Sequence, residues 1–362
     1  MIACRVRSVL LLAAVSAVLA APSVALAQEP FGIKPQPLDT SRALSVIGFG
    51  SCAKQDKPMP IFGTIAAQKP ELFIFLGDNI YADTRDMDLM RAKYARLQAN
   101  SHFAQLVNIC PVLATWDDHD FGENDAGADY PKREESQQIF VDFWGDAADS
   151  PRRKRPGVYE AHVIGPPGKR VQVIVLDTRY FRSPLVKGDK QVGGNWIPSD
   201  DPNRTMLGEA QWNWLREQLQ KPAEVRIIAS SIQCVAEAAG QEAWANLPRE
   251  RQRLFDLIAE TKADGVLIVS GDRHWAELSV EREAAPYAIY DLTSSSFNQL
   301  HARGTPTVNK HRALPTTYHR ENFGRINIDW QQADPQLTLQ VLDIEGKPVI
   351  EKALRLSELH MK

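Results

Sequence analysis

Four short stretches of this sequence hold most of the side chains that could do chemistry. They are Gly50-Ser51-Cys52, Gly77-Asp78-Asn79-Ile80-Tyr81-Ala82-Asp83, Ala114-Thr115-Trp116-Asp117-Asp118-His119-Asp120 and Gly271-Asp272-Arg273-His274. Taken singly, each is weak. A Cys after a strand is usually a small buried hydrophobe, an Asp after Gly is usually a turn former, and a lone His is usually structural. Taken together they are costly to assemble. Two carboxylates 4 Å apart at an effective dielectric of 20 oppose each other by ~4 kcal/mol, and desolvation adds to this. No Lys or Arg cluster is interleaved at these positions, so metal ions are the simplest neutralisers. A thiolate and a phenolate suit a transition metal, whereas carboxylates and amide oxygens suit harder ions. Asp78 is placed to bridge two ions, and Tyr81, three residues on, can fold back over the same centre. Asp272 and His274, at i and i+2, face one side of an extended segment. His119 directly follows Asp118, so it projects differently and faces the substrate.

The elements that must position these groups are legible from periodicity. Leu72 to Leu76 is an apolar run ended by Gly77, the pattern of a strand buried on both faces. The spacing predicts further strands over 44–49, 110–115, 225–230 and 265–270, and helices over 61–68, 87–98, 134–144, 209–219 and 249–262. Pro166-Pro167-Gly168-Lys169 predicts a hairpin between 159–164 and 171–176. The tail reads as short strands over 287–293, 325–329, 337–343 and 348–353. Helices alternate with strands early and hairpins dominate late, which predicts an α/β domain of two mixed sheets packed face to face with helices outside. Each chemical stretch then lies at a strand's carboxyl end, where ligand sites of open α/β sheets gather.

The 362 residues are 44% apolar and 24% charged, ordinary for a globular enzyme. Arg5 and Arg7, the apolar run from Ser8 to Ala20 and Ala25-Leu26-Ala27 match a secretory signal peptide over residues 1–27. The run is shorter than the ~20 apolar residues of a spanning helix. We therefore expect a periplasmic or secreted protein with no membrane span after cleavage, a lead-in over 28–43 and one domain over 44–362. Without Arg5 and Arg7, 40 basic residues face 45 acidic ones, a net charge of −5, which argues against a stable nucleic-acid partner. Cys52, Cys110 and Cys234 remain after cleavage, and Cys110 and Cys234 are expected to be buried or paired with each other. The basic segment from Pro151 to Pro156 reads as a solvated loop. The stretch containing His301, Arg303, Lys310, His311, Arg312, His319 and Arg320 is read either as a cleft wall or as a solvated loop.

The four stretches, in this order, resemble the PhoD-type alkaline phosphatases of the metallophosphoesterase superfamily, over about residues 44 to 345. The resemblance implies a four-layer αββα sandwich. It implies that Cys52, Asp78, Tyr81, Asp118, Asp272 and His274 are metal ligands, with Asp78 bridging and Tyr81 on iron. It further implies Fe3+ and Ca2+ as cofactors, and hydrolysis of phosphomonoesters and phosphodiesters. His119 and Asp78 are the catalytic residues on this reading, and His119, Arg273 and Asn79 meet the substrate. Three departures stand out. Ser230-Ser231-Ile232-Gln233 replaces an isolated His of the superfamily. The accessory N-terminal domain of longer members is expected to be missing, and a hairpin rather than a long helix ends the chain. The alternatives are a phospholipase D-like or nuclease-like phosphodiesterase on the same centre, or a non-catalytic metal- or phosphate-binding protein. A retained proton donor at His119 speaks against the last.

Overall fold

In the computed structural model the strand at 72–76 is a sorting device. Leu72, Ile74 and Leu76 enter the apolar cluster shared with the second sheet, while Phe73 and Phe75 enter another with the helices. Period-2 alternation thus splits one apolar run between two cores. The structure describes Met1 and residues 30–237, 240–301 and 308–362. The signal-peptide expectation therefore lies outside the described residues, and none of their helices is long and apolar enough to cross a membrane. Phe31–Lys362 is one compact unit, distinct from Met1–Pro30.

In chain order the strands are β1 (Val46–Gly50), β2 (Leu72–Leu76), β3 (Val112–Thr115), β4 (Glu160–Ile164) and β5 (Val171–Val175). A two-stranded flap follows, β6 (Val186–Lys187) with β7 (Trp196–Ile197). Then come β8 (Val225–Ala229), β9 (Val266–Ser270), β10 (Ala276–Glu281) and β11 (Ile289–Ser294). The chain closes with β12 (Asn322–Asp329), β13 (Gln336–Asp343) and β14 (Pro348–Arg355). One six-stranded sheet has the order β14-β13-β12-β1-β2-β3 and the other β10-β11-β9-β8-β5-β4. Strands β1, β2 and β3 run parallel, as do β5, β8, β9 and β11. Helices Ile61–Ala67, Met87–Gln98, Ser101–Ile109 and Arg133–Phe143 pack on the first sheet's outer core. Gly208–Leu219 and Pro248–Glu260 add their apolar faces to the second sheet's core. The result is the predicted pair of mixed sheets with helices.

Several elements differ from expectation. Ser101–Ile109 forms an additional helix, capped by Asn100, which accepts from His102 N at 3.1 Å and Phe103 N at 3.0 Å. Strand β10 carries buried Glu277 and Glu281, so its apolar pattern is broken. Pro151–Lys154 is a helical turn rather than a solvated loop, and Arg152 is buried against Asp146 and Glu160. Cys110 and Cys234 are both buried and free, not paired. In the basic stretch, Lys310 and His311 face Glu237, and Arg312 donates to Glu277 at 2.9 Å. Those three are tied to acids, and Arg303 lies outside the described residues.

Candidate metal centre

Residues after β1, β2, β3, β5, β8, β9 and β11 meet at one end of the two sheets. Gly77 permits one of these approaches. Its φ is +100°, and a Cβ there would lie 2.5 Å from Asp117 N, so only glycine lets the loops after β2 and β3 touch. Beyond it the backbone is strained where the candidate ligands sit. Eight described non-glycine residues have positive φ, and six of them lie at this site: Cys52, Asp78, Asp83, Asp125, Asp272 and His274. Such left-handed conformations cost about 1–3 kcal/mol each and persist where the surroundings over-determine them.

The surroundings do so chiefly through Asp120, whose side chain accepts from the backbone N–H groups of Asp78 (3.1 Å), Asn79 (3.2 Å) and Asp117 (2.7 Å). Asn79 donates its amide N–H2 to Asp120 at 2.6 Å and to the Thr115 carbonyl at 2.9 Å. It thereby pins the same loop, while its Oδ1 is left buried without a partner. Burial pushes the Asp120 carboxyl up to about 7 against these hydrogen bonds.

Around Asp78 the predicted ligands converge. Cys52 Sγ lies 3.4 Å from Asp78 Oδ2. The Tyr81 hydroxyl lies 3.1 Å from that same oxygen and 2.9 Å from His274 Nε2. Cys52, Asp78 and His274 offer donor atoms within 4.8 Å of one another, as do Asp78, Asp118 and His119, and also Asp117, Asp118 and Asp272. Asp78 is common to the first two groups, the position a bridging carboxylate needs. The first group, with Tyr81, mixes S, N and O donors and suits a transition metal. The carboxylate groups are oxygen-rich and suit a harder ion.

Four buried oxygens at this centre, Asp78 Oδ1, Asn79 Oδ1, Asp117 Oδ2 and Asp118 Oδ1, have no hydrogen-bond partner. Buried acceptors left open in this way are costly unless a cation fills the gap. The residues therefore fit a metal pair. The same crowding sets the protonation. Burial raises Asp78, Cys52 and Tyr81 well above their ordinary pKa values, and neighbouring anions add to it, Asp118 beside Asp78 and Asp78 beside the other two. Burial also pushes Asp272 up to about 6. Burial and the Arg273 charge hold His274 down to about 3. His119 goes the other way. Burial opposes its charge, but Asp118, Asp78 and the 2.6 Å contact of Nδ1 with Asp83 bring it up to about 11.

The expectation that no cations are interleaved is corrected by the structure. Arg179, fully buried, donates to Asp117 at 2.6 Å and to Glu242 at 2.7 and 2.8 Å. Arg182 pairs with Glu242 at 3.0 Å. Arg273 turns onto Asp272 rather than outward. Three guanidinium groups thus compensate part of the acid cluster. Asp125 supports it too, its N–H on Asp118 Oδ2 at 2.7 Å and its carboxylate holding Trp196 of the flap at 2.9 Å. Where a superfamily His was missed, Ser231 donates to Asp117 at 2.6 Å. A usable signal for Arg179 existed: Asp177-Thr178-Arg179 follows an apolar strand as Asp78 does. Glu242 had none.

Comparison with known proteins agrees with this geometry. A family model described as PhoD-like phosphatase matches residues 47–334. "Alkaline phosphatase D" of Bacillus subtilis is 25% identical over 286 residues, 67% of this chain and 48% of the relative. The chain thus spans about half the length of that curated relative. A solved structure of PhoD superposes with a TM-score of 0.69 at 19% identity, covering 88% of this chain and 70% of the other. GAP50, described as the anchor in the inner membrane complex of Plasmodium, superposes at 0.53 with 13% identity, covering 87% and 89%. At these identities the two structures establish the fold.

Proposed function

Because the chain belongs to the PhoD-like phosphatase family, we propose that it is a metal-dependent hydrolase of phosphoric esters, an alkaline phosphatase or phosphodiesterase acting outside the cytoplasm. The observation that supports the reading is the pair of donor groups sharing Asp78, one with Cys52 and His274 and one with Asp118 and His119. Cys52, Tyr81, His274 and Asp78 would hold ferric iron, and Asp78 with Asp118 and Asp272 would hold calcium. Bound there, the ions would supply Lewis-acid charge for the phosphoryl oxygens and make water more acidic.

The chain's own groups do the rest. Asp83 fixes the His119 ring through Nδ1, and the ring lies tilted against Tyr81 with centroids 4.3 Å apart. His119 so held can hydrogen-bond a phosphoryl oxygen or give its proton to the leaving oxygen. Asp120 and Asn79 hold the Asp78 loop in its strained form, so Asn79 acts here on the loop as well as beside the substrate. Arg273, set against Asp272, adds positive charge for an anionic substrate.

A fold shared with an anchor protein shows that the fold alone does not decide catalysis, so turnover must be measured. Metal analysis of the purified protein, beside a panel of mono- and diesters, is the test. Iron and calcium with many turnovers per site support the proposal. Release of at most one phosphate per site would make the protein a binder. Chelation should abolish turnover and calcium should restore it while iron stays bound. Cys52→Ser should lose iron and nearly all activity with the fold intact.

A further inference from the structure

The cations around the centre differ in one respect. Arg179, Arg182 and Arg273 are each bonded to carboxylates, and His119 to Asp83. Lys54 has no carboxylate partner among the described residues; its neighbour Asp56 is taken by Arg96 at 2.9 Å and Lys93 at 3.6 Å. The Lys54 ammonium lies instead 5.7 Å from the centroid of the Tyr81 ring, the ring that also carries His119 at 4.3 Å.

The backbone beneath this lysine is held on several sides. Buried Asn298 accepts from Lys54 N at 2.7 Å and donates to Lys54 O at 3.0 Å. Ala53 N donates to Asp78 O at 2.8 Å, and Gln55 accepts from Tyr81 N at 2.8 Å. A charged side chain is thus mounted on a rigid segment two residues after Cys52. It is half-buried against a candidate ligand and, among the described residues, has no acid bonded to it. A cation over an aromatic face keeps its hydrogen-bond donors available.

We infer that Lys54 is a specificity residue for the reaction proposed above, on which this inference rests. Its ammonium receives a second anionic group borne by the substrate. The preferred substrates are then phosphate esters with a carboxylate or a second phosphate close to the scissile one, rather than esters of neutral alcohols.

Binding of unreactive analogues to the metal-loaded protein tests this without turnover. Phosphonoacetate presents a carboxylate beside its phosphorus, methylenebisphosphonate presents a second phosphorus, and methylphosphonate presents neither. The wild type should bind at least one of the first two about tenfold or more tightly than methylphosphonate, the size of one charge-assisted hydrogen bond. Whichever is preferred identifies the anion. Lys54→Met, which keeps the apolar stem on the ring, should bring that ratio close to one, and Lys54→Arg should keep most of it. No preference in the wild type, or the same preference in Lys54→Met at equal metal content, overturns the assignment. A Lys54-dependent preference in a protein that hydrolyses no ester would leave Lys54 as an anion-binding residue and remove the hydrolase reading. Turnover without any preference would do the reverse.

Discussion

Two buried polar clusters in this molecule differ in closure. Arg152 is matched on every side. Its Nε donates to Asp146 at 2.8 Å, its Nη1 donates to the Ala114 carbonyl at 3.0 Å, and its Nη2 meets the second Asp146 oxygen. Asp78 and Asp118 are buried as deeply, and each keeps an oxygen that accepts no hydrogen bond. The like oxygen of the first cluster, Glu160 Oε1, lies 2.8 Å from Arg152 Nη1, whereas Asp118 Oδ1 is 3.9 Å from Arg179. The first cluster holds a helical turn to a sheet edge. The second holds several acids against their own repulsion, with Asp78 and Asp272 on backbone in a left-handed conformation. A closed buried pair is structural, and an open buried cluster is a place for a ligand. Their substitutions should therefore fail in opposite ways.

The sharpest contrast is at Asp78. Asp78→Asn should lower activity by about 10³-fold or more, because the charge proposed to join two ions would be gone. The same change should raise the melting temperature of the chelated protein, since one of several crowded acids is neutralised. Unfolding followed with chelator present checks this. An apo variant less stable than the apo wild type would put Asp78 in the closed class with Asp146.

Arg152→Met should behave in the reverse sense. It leaves Asp146 and Glu160 buried without their cation, a loss of about 3–5 kcal/mol of stability. Metal content per folded molecule should not change. Denaturant unfolding beside metal analysis reads both, and metal loss at intact stability would contradict the division.

His119→Ala should separate acid catalysis from ligation. An alkyl phosphate needs its leaving oxygen protonated, so it should lose about 10²–10⁴-fold, and a nitrophenyl ester should lose less. Equal losses at unchanged metal content would confine His119 to binding the phosphate. Tyr81→Phe is smaller in energy but visible to the eye. A phenolate on ferric iron gives a charge-transfer band, so the iron-loaded protein should be coloured and the variant pale. Iron-loaded wild type without a band would remove Tyr81 from the ligand set.

The smallest effect belongs to a solvent-facing network, Glu237 with Arg251, Lys310 and His311. Partial burial opposes ionisation of Glu237, but the Arg251 and Lys310 hydrogen bonds bring it down to about 2 from 4.5. Its stabilisation is therefore full above pH 4.5 and is lost as the pH falls toward 2. Screened by water, it should amount to no more than about 1 kcal/mol. Glu237→Gln should cost that at pH 7 and nothing near pH 2 in acid unfolding curves.

Local pattern along the chain encodes its elements. Leu72 to Leu76 gave its strand because five apolar residues end at a glycine, and Met87 to Gln98 gave its helix because its apolar spacing follows the helical turn. The candidate ligands at the strand ends were legible for the same reason: Cys52, Asp78, Tyr81, Asp118 and His274 are unusual residues in positions that parallel sheets expose. Strand β10 was hidden because Glu277 and Glu281 break its pattern, and their partners come from Gln233 and from residues 309–312. Which charges meet depends on the folded arrangement of the loops. Arg179, Glu242 and Ser231 reach Asp117 across 62, 125 and 114 residues of chain or through one another, and the basic run at Arg152 turned inward because Asp146 and Glu160 were waiting there. Pairing of this kind depends on distance in space, which falls off with neither sequence separation nor residue type, whereas alternation and helical period are properties of neighbours along the chain.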